Sequence, residues 1–206
     1  MNDKRDVDRR IQRTRHMLSD ALFALIVEKG YESVTVQDIT EHANVGRATF
    51  YLHYRDKEEL LSASLKQLVN ELTQYVEPNN DSPSTYKTLS VRVFQHVALH
   101  RALYRALLGE GGPPIIAARM KRYLAVLIQN YVIIPLLVRR NASVDSELVD
   151  PELLATHAAG SLLALLIWWL DHDLVQSAEE MGSLFWRLMT PGIEDVLRLP
   201  PVQREE

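Results

Sequence analysis

The stretch NVGRATFYLHYRDKEEL, residues 44–60, places many hydrogen-bonding side chains on one short segment that directly follows a helix-like stretch. Asn44 is one of the few non-glycine residues that tolerates a left-handed backbone, which suits a tight turn. Phe50 and Tyr54 are four residues apart, so a helix would place both rings on the same face. These features predict a short helix that begins near Gly46 and is anchored by the two rings.

The segment before this stretch predicts another short helix. Thr35 and Asp38 are three residues apart, the spacing of a capping box in which two side chains bind the free amides of a helix start. Val36, Ile39 and Ala43 then recur at helical spacing and form a small apolar face. Two short helices joined by a tight turn, the second polar on its outer side, are typical of a helix-turn-helix.

A helix-turn-helix binds DNA by placing its second helix in the major groove, so the outer face of that helix must carry donors and acceptors. An arginine can bind guanine through two hydrogen bonds, and a small side chain can contact a thymine methyl. Hydroxyl and imidazole groups can donate to phosphates, and the start of the following helix favours an anion. The expected DNA-facing side chains are those of Thr35, Arg47, Ala48, Thr49, Tyr51, His53 and Lys57.

A longer amphipathic helix precedes the motif, with apolar residues at three- and four-residue steps from Ile11 until Gly30 ends it. Basic residues crowd the N-terminus although the formal net charge is −4: Lys4, Arg5, Arg9, Arg10, Arg13 and Arg15. Positive charge at a helix N-terminus opposes the helix dipole and costs up to about 1 kcal/mol per charge. A DNA backbone would offset that cost. The alternative is a solvated, frayed terminus.

The remaining chain is dominated by helical periodicity and shows no convincing strand alternation. Turn-rich stretches separate the helical patterns at residues 77–85, 109–114, 141–152 and 171–178. Pro135 should kink or end its helix because it lacks an amide hydrogen. We therefore predict an all-α protein, with an N-terminal three-helix helix-turn-helix domain at residues 1–55 and a C-terminal helical bundle at residues 56–206.

Residues 31–61, YESVTVQDITEHANVGRATFYLHYRDKEELL, resemble the TetR family of bacterial transcription regulators. The resemblance implies a homodimer that binds a palindromic double-stranded DNA operator, with a C-terminal domain that dimerises and often binds a small effector. It also implies that the seven side chains named above face DNA. Asn44 stands where the family usually has glycine, and Gly46 stands where it usually has a serine cap.

The same resemblance implies that the last two helices form a four-helix dimer interface with their symmetry mates. Small residues at 155–161 would let helices approach closely. Large apolar areas are offered by Trp168, Trp169, Phe185 and Trp186, and aromatic residues are enriched at interface centres. Core packing within one subunit is the alternative for each tryptophan.

An effector pocket would lie among the central helices, and pockets are mostly apolar with a few polar groups. We expect an apolar or aromatic small molecule there, although ordinary core packing is the alternative for every candidate. The candidate lining residues are Phe94, His96, Tyr104, Tyr123, Leu127, Tyr131 and Trp168.

Several classes of site are disfavoured. The chain has no cysteine, which excludes disulfides and thiolate metal sites. His96 and His100 could share one helix face, but no third ligand is obvious, and Val97 stands where the metalloprotease pattern needs glutamate. Phosphate-binding loops, dinucleotide-binding turns and nucleophile elbows do not occur in the sequence. We therefore expect no enzyme activity, no catalytic residue, no metal and no cofactor.

The longest apolar run, residues 158–170, is shorter than the roughly 20 residues that a membrane span needs. The charged N-terminus does not fit a signal peptide. We expect a cytoplasmic protein outside the membrane, acting as a repressor that a small molecule releases from DNA, although the sequence does not decide between repressor and activator. The rival interpretation, a helical protein-binding module, would leave the N-terminal arginines and the outer edge of the motif without a role.

Overall fold

The computed structural model describes residues 2–76, 86–109, 112–139 and 150–196, and these residues form helices without any strand. The predicted all-α class is confirmed. The helices are α1 (Asn2–Lys29), α2 (Val36–His42), α3 (Arg47–His53), α4 (Lys57–Val76), α5 (Tyr86–Leu99), α6 (Arg101–Leu108), α7 (Pro114–Ile128), α8 (Ile134–Arg139), α9 (Pro151–Asp171) and α10 (Ala178–Val196), with a 3-10 turn at Tyr31–Ser33.

The first four helices share one part of the core. Leu22 of α1, Ile39 of α2, Phe50 of α3 and Leu61 of α4 are all fully buried. Each lies on the apolar face that helical spacing assigns to its helix, so local pattern and packing agree. α1 begins at Asn2, before the apolar periodicity that starts at Ile11, and this extra length carries Arg5, Arg9 and Arg10.

Pro135 interrupts the helical repeat as predicted, but the chain does not leave the helix. α7 ends at Ile128, a π-helical segment covers Gln129–Ile133, and α8 continues from Ile134. The wider π turn accommodates the proline ring and its missing amide hydrogen. The predicted breaks between α6 and α7 and between α9 and α10 also occur, whereas residues 77–85 and 140–149 lie outside the described part of the chain.

Within the subunit, α10 approaches α5 closely at Gly182, and the predicted close approach of residues 155–161 to a second subunit stays a prediction. A Cβ atom added at Gly160 would meet nothing within 4 Å, whereas one at Gly182 of α10 would lie 2.5 Å from the Cα atom of Val91 on α5. Ser90 strengthens that contact, because its hydroxyl donates to the carbonyl of Gly182 at 2.9 Å. Ala158 and Ala159 are buried within their own subunit.

Two helical stretches are long and apolar enough to cross a membrane by those criteria alone, Pro114–Val138 and Pro151–Asp171. The sequence analysis considered only residues 158–170, which are part of the second stretch. Half of the second stretch is buried inside the bundle, as in the core helix of a soluble protein. Length and composition therefore do not place either helix in a membrane.

Candidate DNA-binding surface

The start of α2 is fixed by the predicted capping box. The Thr35 hydroxyl accepts from the amide of Asp38 at 3.2 Å, and the Asp38 carboxylate accepts from the amide of Thr35 at 2.8 Å. Lys29, at the end of α1, lies 2.8 Å from the same carboxylate. The bonds from Lys29 and Thr35 hold the pKa of Asp38 well below its usual range. Thr35 is exposed, but its hydroxyl hydrogen is directed to Asp38 and not outward.

The turn between α2 and α3 has the predicted left-handed geometry. Asn44 has a φ of 51°, and its amide donates to the carbonyl of Glu41 at 3.1 Å. The amide of Val45 donates to the carbonyl of Thr40 at 2.9 Å. These bonds close the turn, so α3 leaves α2 in a fixed direction.

The inner and outer faces of α3 separate as the sequence predicts. Phe50 is fully buried and Tyr54 is 8% exposed, with their ring centroids 6.0 Å apart. Arg47 and Ala48 are exposed on the opposite side, and Tyr51 is 59% exposed. Two other candidates, Thr49 and His53, are half-buried.

One exposed residue of α3 was missed by the sequence argument. Leu52 is 82% exposed and follows Tyr51 directly, four residues after Ala48. Its helical position could have identified it, but an apolar residue does not stand out among hydrogen-bonding candidates. An exposed leucine on this face is suited to apolar contact with thymine methyl groups.

A second missed residue, Gln37 of α2, contacts Arg47. The guanidinium of Arg47 donates to the side-chain oxygen of Gln37 at 2.6 Å. The amide of Gln37 in turn donates to the carboxylate of Glu41 at 2.8 Å. Both Gln37 and Arg47 are exposed, so this chain of bonds orients the guanidinium on the outer surface of the motif.

Lys57 does not extend freely towards the outer surface of α3, which differs from the expectation. Its ammonium donates to the carbonyls of Tyr31, Glu32 and Val34 at 3.1, 3.4 and 2.9 Å. It also lies 4.4 Å from the ring centroid of Tyr31. Carbonyls of a short turn lack helical partners, and the ammonium satisfies several at once. Whether Lys57 also contacts DNA stays a prediction.

One of the arginines of α1, Arg15, carries a charge that acts on His53 at the end of α3. Arg9, Arg10, Arg13 and Arg15 are exposed, whereas the side chains of Lys4 and Arg5 lie outside the described part. Burial and then the nearby charge of Arg15 lower the pKa of His53. Positive charge from α1 is therefore close to the C-terminal end of α3.

The seven effector candidates differ in how deeply they are buried. Phe94, His96 and Tyr104 are buried, while Tyr123 and Leu127 are half-buried. Tyr131 and Trp168 are 46% and 44% exposed, so they lie at the surface of the subunit, and their part in an effector pocket stays a prediction. Trp168 and Trp169 are neighbours on α9 and point in different directions, so only Trp169 enters the core, and it packs on Phe94.

The histidine pair belongs to an aromatic cluster. The ring centroids of His96 and His100 are 4.7 Å apart, and the Tyr104 hydroxyl lies 3.3 Å from Nδ1 of His96. Burial and the neighbouring His100 lower the pKa of His96 to about 4, so His96 is neutral at pH 7. Among the described residues, no three histidine, aspartate or glutamate side chains come together in a metal-binding arrangement.

Two family descriptions match this chain. Residues 18–64, which contain the surface described above, match the family described as "Bacterial regulatory proteins, tetR family". Residues 84–191, more than half of the chain, match the family described as "Transcriptional regulator C-terminal region". The two matches together cover both the helix-turn-helix and most of the bundle.

Known proteins show the same similarity. The uncharacterised HTH-type regulator YxbF of Bacillus subtilis is 39% identical over 84 residues, which are 38% of this chain and 22% of that protein. The biofilm operon icaADBC HTH-type negative transcriptional regulator IcaR of Staphylococcus epidermidis is 34% identical over 62 residues, 30% of this chain and 34% of that protein. This chain therefore spans less than half the length of each of these relatives.

A solved TetR transcriptional regulator of Streptococcus agalactiae superimposes with a TM-score of 0.63 at 25% identity. The superposition covers 91% of this chain and 99% of that one. The similarity in fold therefore extends beyond the N-terminal motif into the bundle.

Proposed function

This chain belongs to the TetR family of bacterial transcriptional regulators, and from that premise we propose that it is a dimeric repressor that binds a palindromic operator and is released by a small-molecule effector. The family regulates transcription by binding DNA, so the chain is not an enzyme. The negative regulation named for IcaR supports the repressor role. A DNA-bound role also supports a cytoplasmic location.

The outer face of α3 is the observation that carries the proposal. Arg47, Ala48 and Tyr51 are exposed together, while Phe50 and Tyr54 hold the helix from behind. This leaves a short ridge of polar and small groups that fits a major groove. The proposed DNA contacts are those expected from the sequence: Thr35, Arg47, Ala48, Thr49, Tyr51, His53 and Lys57.

A gel-shift experiment on the DNA that flanks its own coding region tests this function. Binding through phosphates must weaken steeply as salt rises, because each contact releases a condensed counterion. A specific complex with a steep salt slope supports the proposal. If the protein binds neither this DNA nor any duplex selected from a random pool, it is not a DNA-binding regulator. A helical protein-binding module then becomes the better interpretation.

Arg47→Ala is expected to lower operator affinity by about 1–3 kcal/mol, because an arginine that binds a guanine loses both hydrogen bonds. Gel shifts on the operator and on unrelated DNA measure the change. Lys121→Ala, at an exposed position of α7, is the control and is expected to leave both affinities unchanged. An equal loss on both DNAs would make Arg47 a phosphate contact and not a base contact.

The triple variant Arg9→Gln, Arg10→Gln and Arg13→Gln is expected to reduce the salt slope of operator binding by about 2.7, since each phosphate contact contributes about 0.9. Affinity measured from low to high salt gives the slope. The double variant Lys121→Gln and Arg122→Gln on α7 is the control. An unchanged slope in the triple variant would favour a solvated terminus.

The proposed dimer uses the exposed apolar side of α9 and α10. Leu153 and Trp168 of α9 are 64% and 44% exposed, and Leu184 and Leu188 of α10 are 41% and 60% exposed. Leu184 and Leu188 are one helical turn apart and form an apolar stripe on α10, whereas Leu153 and Trp168 lie 15 residues apart on α9. Two copies related by a two-fold axis would cover these exposed apolar side chains and match the symmetry of a palindromic operator.

The proposed effector is an apolar or aromatic small molecule held in the bundle, residues 56–206, apart from the DNA-binding domain, residues 1–55. The candidate anchors His96 and Tyr104 lie buried beside each other and can offer polar groups within an apolar surrounding. An effector that prefers one subunit arrangement would shift the dimer away from the operator spacing. A screen of aromatic compounds for loss of the gel shift and a raised melting temperature tests this step.

A further inference from the structure

We propose that Arg119 of α7 holds the helix-turn-helix at one orientation on the bundle and thereby sets the spacing of operator half-sites that the dimer accepts. The group that performs this role, the Arg119 cluster, consists of Arg119 and Tyr123 of α7 with Glu58 and Ser62 of α4. The inference rests on the proposed binding of a dimer to two half-sites.

The two members of the cluster on α7, Arg119 and Tyr123, bind one turn of α4. The guanidinium of Arg119 donates to the carbonyl of Glu58 at 3.3 Å and to the hydroxyl of Ser62. The Tyr123 hydroxyl donates to the carbonyl of Ser62 at 3.3 Å. Arg119 and Tyr123 are one helical turn apart, as are Glu58 and Ser62, so two facing turns are joined. Hydrogen bonds from a charged donor are stronger than neutral ones and depend on direction.

The same turn of α4 binds the segment that leads into α2. The Glu58 carboxylate accepts from the Tyr31 hydroxyl at 3.4 Å, and the ammonium of the adjacent Lys57 binds the carbonyls of Tyr31 and Val34. Tyr31 is 5% exposed. Burial and the charge of Glu58 raise the pKa of Tyr31 to about 12, and the charge of Arg119 opposes this rise. Arg119 and Tyr31 therefore contact the same residue of α4, Glu58.

These contacts join α7 to the helix-turn-helix through polar bonds that favour one orientation. α1 also packs against α6, but apolar packing is less directional and tolerates small rotations better. The Arg119 cluster is therefore the part of the junction best suited to fix the orientation of α2 and α3. In a dimer, that orientation determines the distance and angle between the two copies of α3.

Operator spacing gives a readout that separates orientation from simple stability. One extra base pair between half-sites rotates the second half-site by about 34–36° around the DNA axis. A dimer with fixed α3 helices must reject this change, whereas a dimer with loosely held helices can follow it. Binding to a single half-site does not depend on this spacing, because only one α3 helix has to fit.

The variant Arg119→Met keeps an unbranched stem and good helix propensity while removing the donor group. The wild-type protein first selects its operator from random duplex DNA. The full chain is then titrated with one half-site, with the natural operator, and with the operator carrying one extra central base pair. Arg122→Met, an exposed arginine three residues further along α7, is the matched control for loss of charge.

We expect Arg119→Met to bind the single half-site within about twofold of the wild type. Its affinity for the natural operator should fall by about five- to tenfold, the loss of one or two hydrogen bonds. Its preference for the natural spacing over the lengthened one should shrink by a similar factor. Arg122→Met should match the wild type on all three DNAs. Tyr123→Phe, which removes a single hydroxyl, should change the spacing preference in the same direction.

An unchanged spacing preference in Arg119→Met overturns the proposal. An equal loss of affinity for the half-site and for the full operator also overturns it, because this would indicate a damaged DNA-binding domain. If Arg119→Met fails to fold, the result for Tyr123→Phe decides in the same way. A wild-type protein that selects no operator overturns the proposed function together with this inference. If the wild type selects a palindrome and both variants keep its spacing preference, this inference alone is overturned.

Discussion

Leu188→Glu is expected to convert the dimer to monomers and to lower operator affinity by more than about 100-fold, the largest effect on function that we expect. Leu188 is 60% exposed on α10, one helical turn after the exposed Leu184. A two-fold axis would bury two new carboxylates in one interface, and an unpaired buried charge costs several kcal/mol. Without the dimer, each α3 helix would have to find its half-site independently, and the gain from joint binding would be lost.

Sedimentation at micromolar concentration measures the oligomeric state, and gel shifts with the full operator measure affinity. Leu99→Glu makes the same chemical change at a leucine of α5 that is 71% exposed and belongs to neither α9 nor α10, so it should remain dimeric. A dimeric Leu188→Glu protein with normal affinity would show that this face of α10 is not the interface. The exposed apolar residues of α7 and α8 would then be the next candidate for the dimer interface.

The parts of the surface that sequence predicts correctly depend on residues close together in the chain. The Thr35–Asp38 capping box, the left-handed Asn44 and the paired rings of Phe50 and Tyr54 each follow from chemistry within one or two helical turns. Such local rules act before tertiary contacts form. They therefore locate the motif and its two faces without knowledge of the bundle.

The contacts that sequence misses join residues far apart. Lys57 binds carbonyls about 25 positions earlier, and Arg119 binds α4 about 60 positions earlier. Both side chains carry charges that a sequence pattern assigns to solvent or DNA. Only the packing of α4 against the 3-10 turn and against α7 shows that they bind the protein's own backbone.

The two neighbouring tryptophans of α9 illustrate the same limit inside the bundle. A helix that is apolar on nearly every side has no single core face in its sequence, so the pattern cannot assign Trp168 and Trp169 to inside or outside. The structure buries Trp169 against Phe94 and leaves Trp168 stacked on His172 at the surface. The effector candidates chosen by aromatic spacing share this ambiguity, which explains why some are buried and others are exposed.

Phe50→Ala is expected to lower the free energy of unfolding of the N-terminal helices by about 3–5 kcal/mol, the usual cost of removing a buried phenylalanine ring. Phe50 is fully buried and is part of the core that α1, α2, α3 and α4 share, so its loss leaves a cavity behind the DNA-facing helix. Urea denaturation followed by circular dichroism measures the change. Operator binding should be lost as well, because α3 would no longer be held in place.

Tyr51, next to Phe50, supplies the control that separates an effect on stability from an effect on DNA binding. Tyr51 is 59% exposed and touches Phe50 only edge-to-face, with ring centroids 5.3 Å apart. Tyr51→Ala should therefore lower the free energy of unfolding by only about 0.5–1.5 kcal/mol, the contribution of a paired aromatic contact, yet it should weaken operator binding. If Phe50→Ala unfolded no more easily than Tyr51→Ala, the inner face of α3 would not be what holds this helix, and the outer ridge would have no rigid support from which to meet DNA.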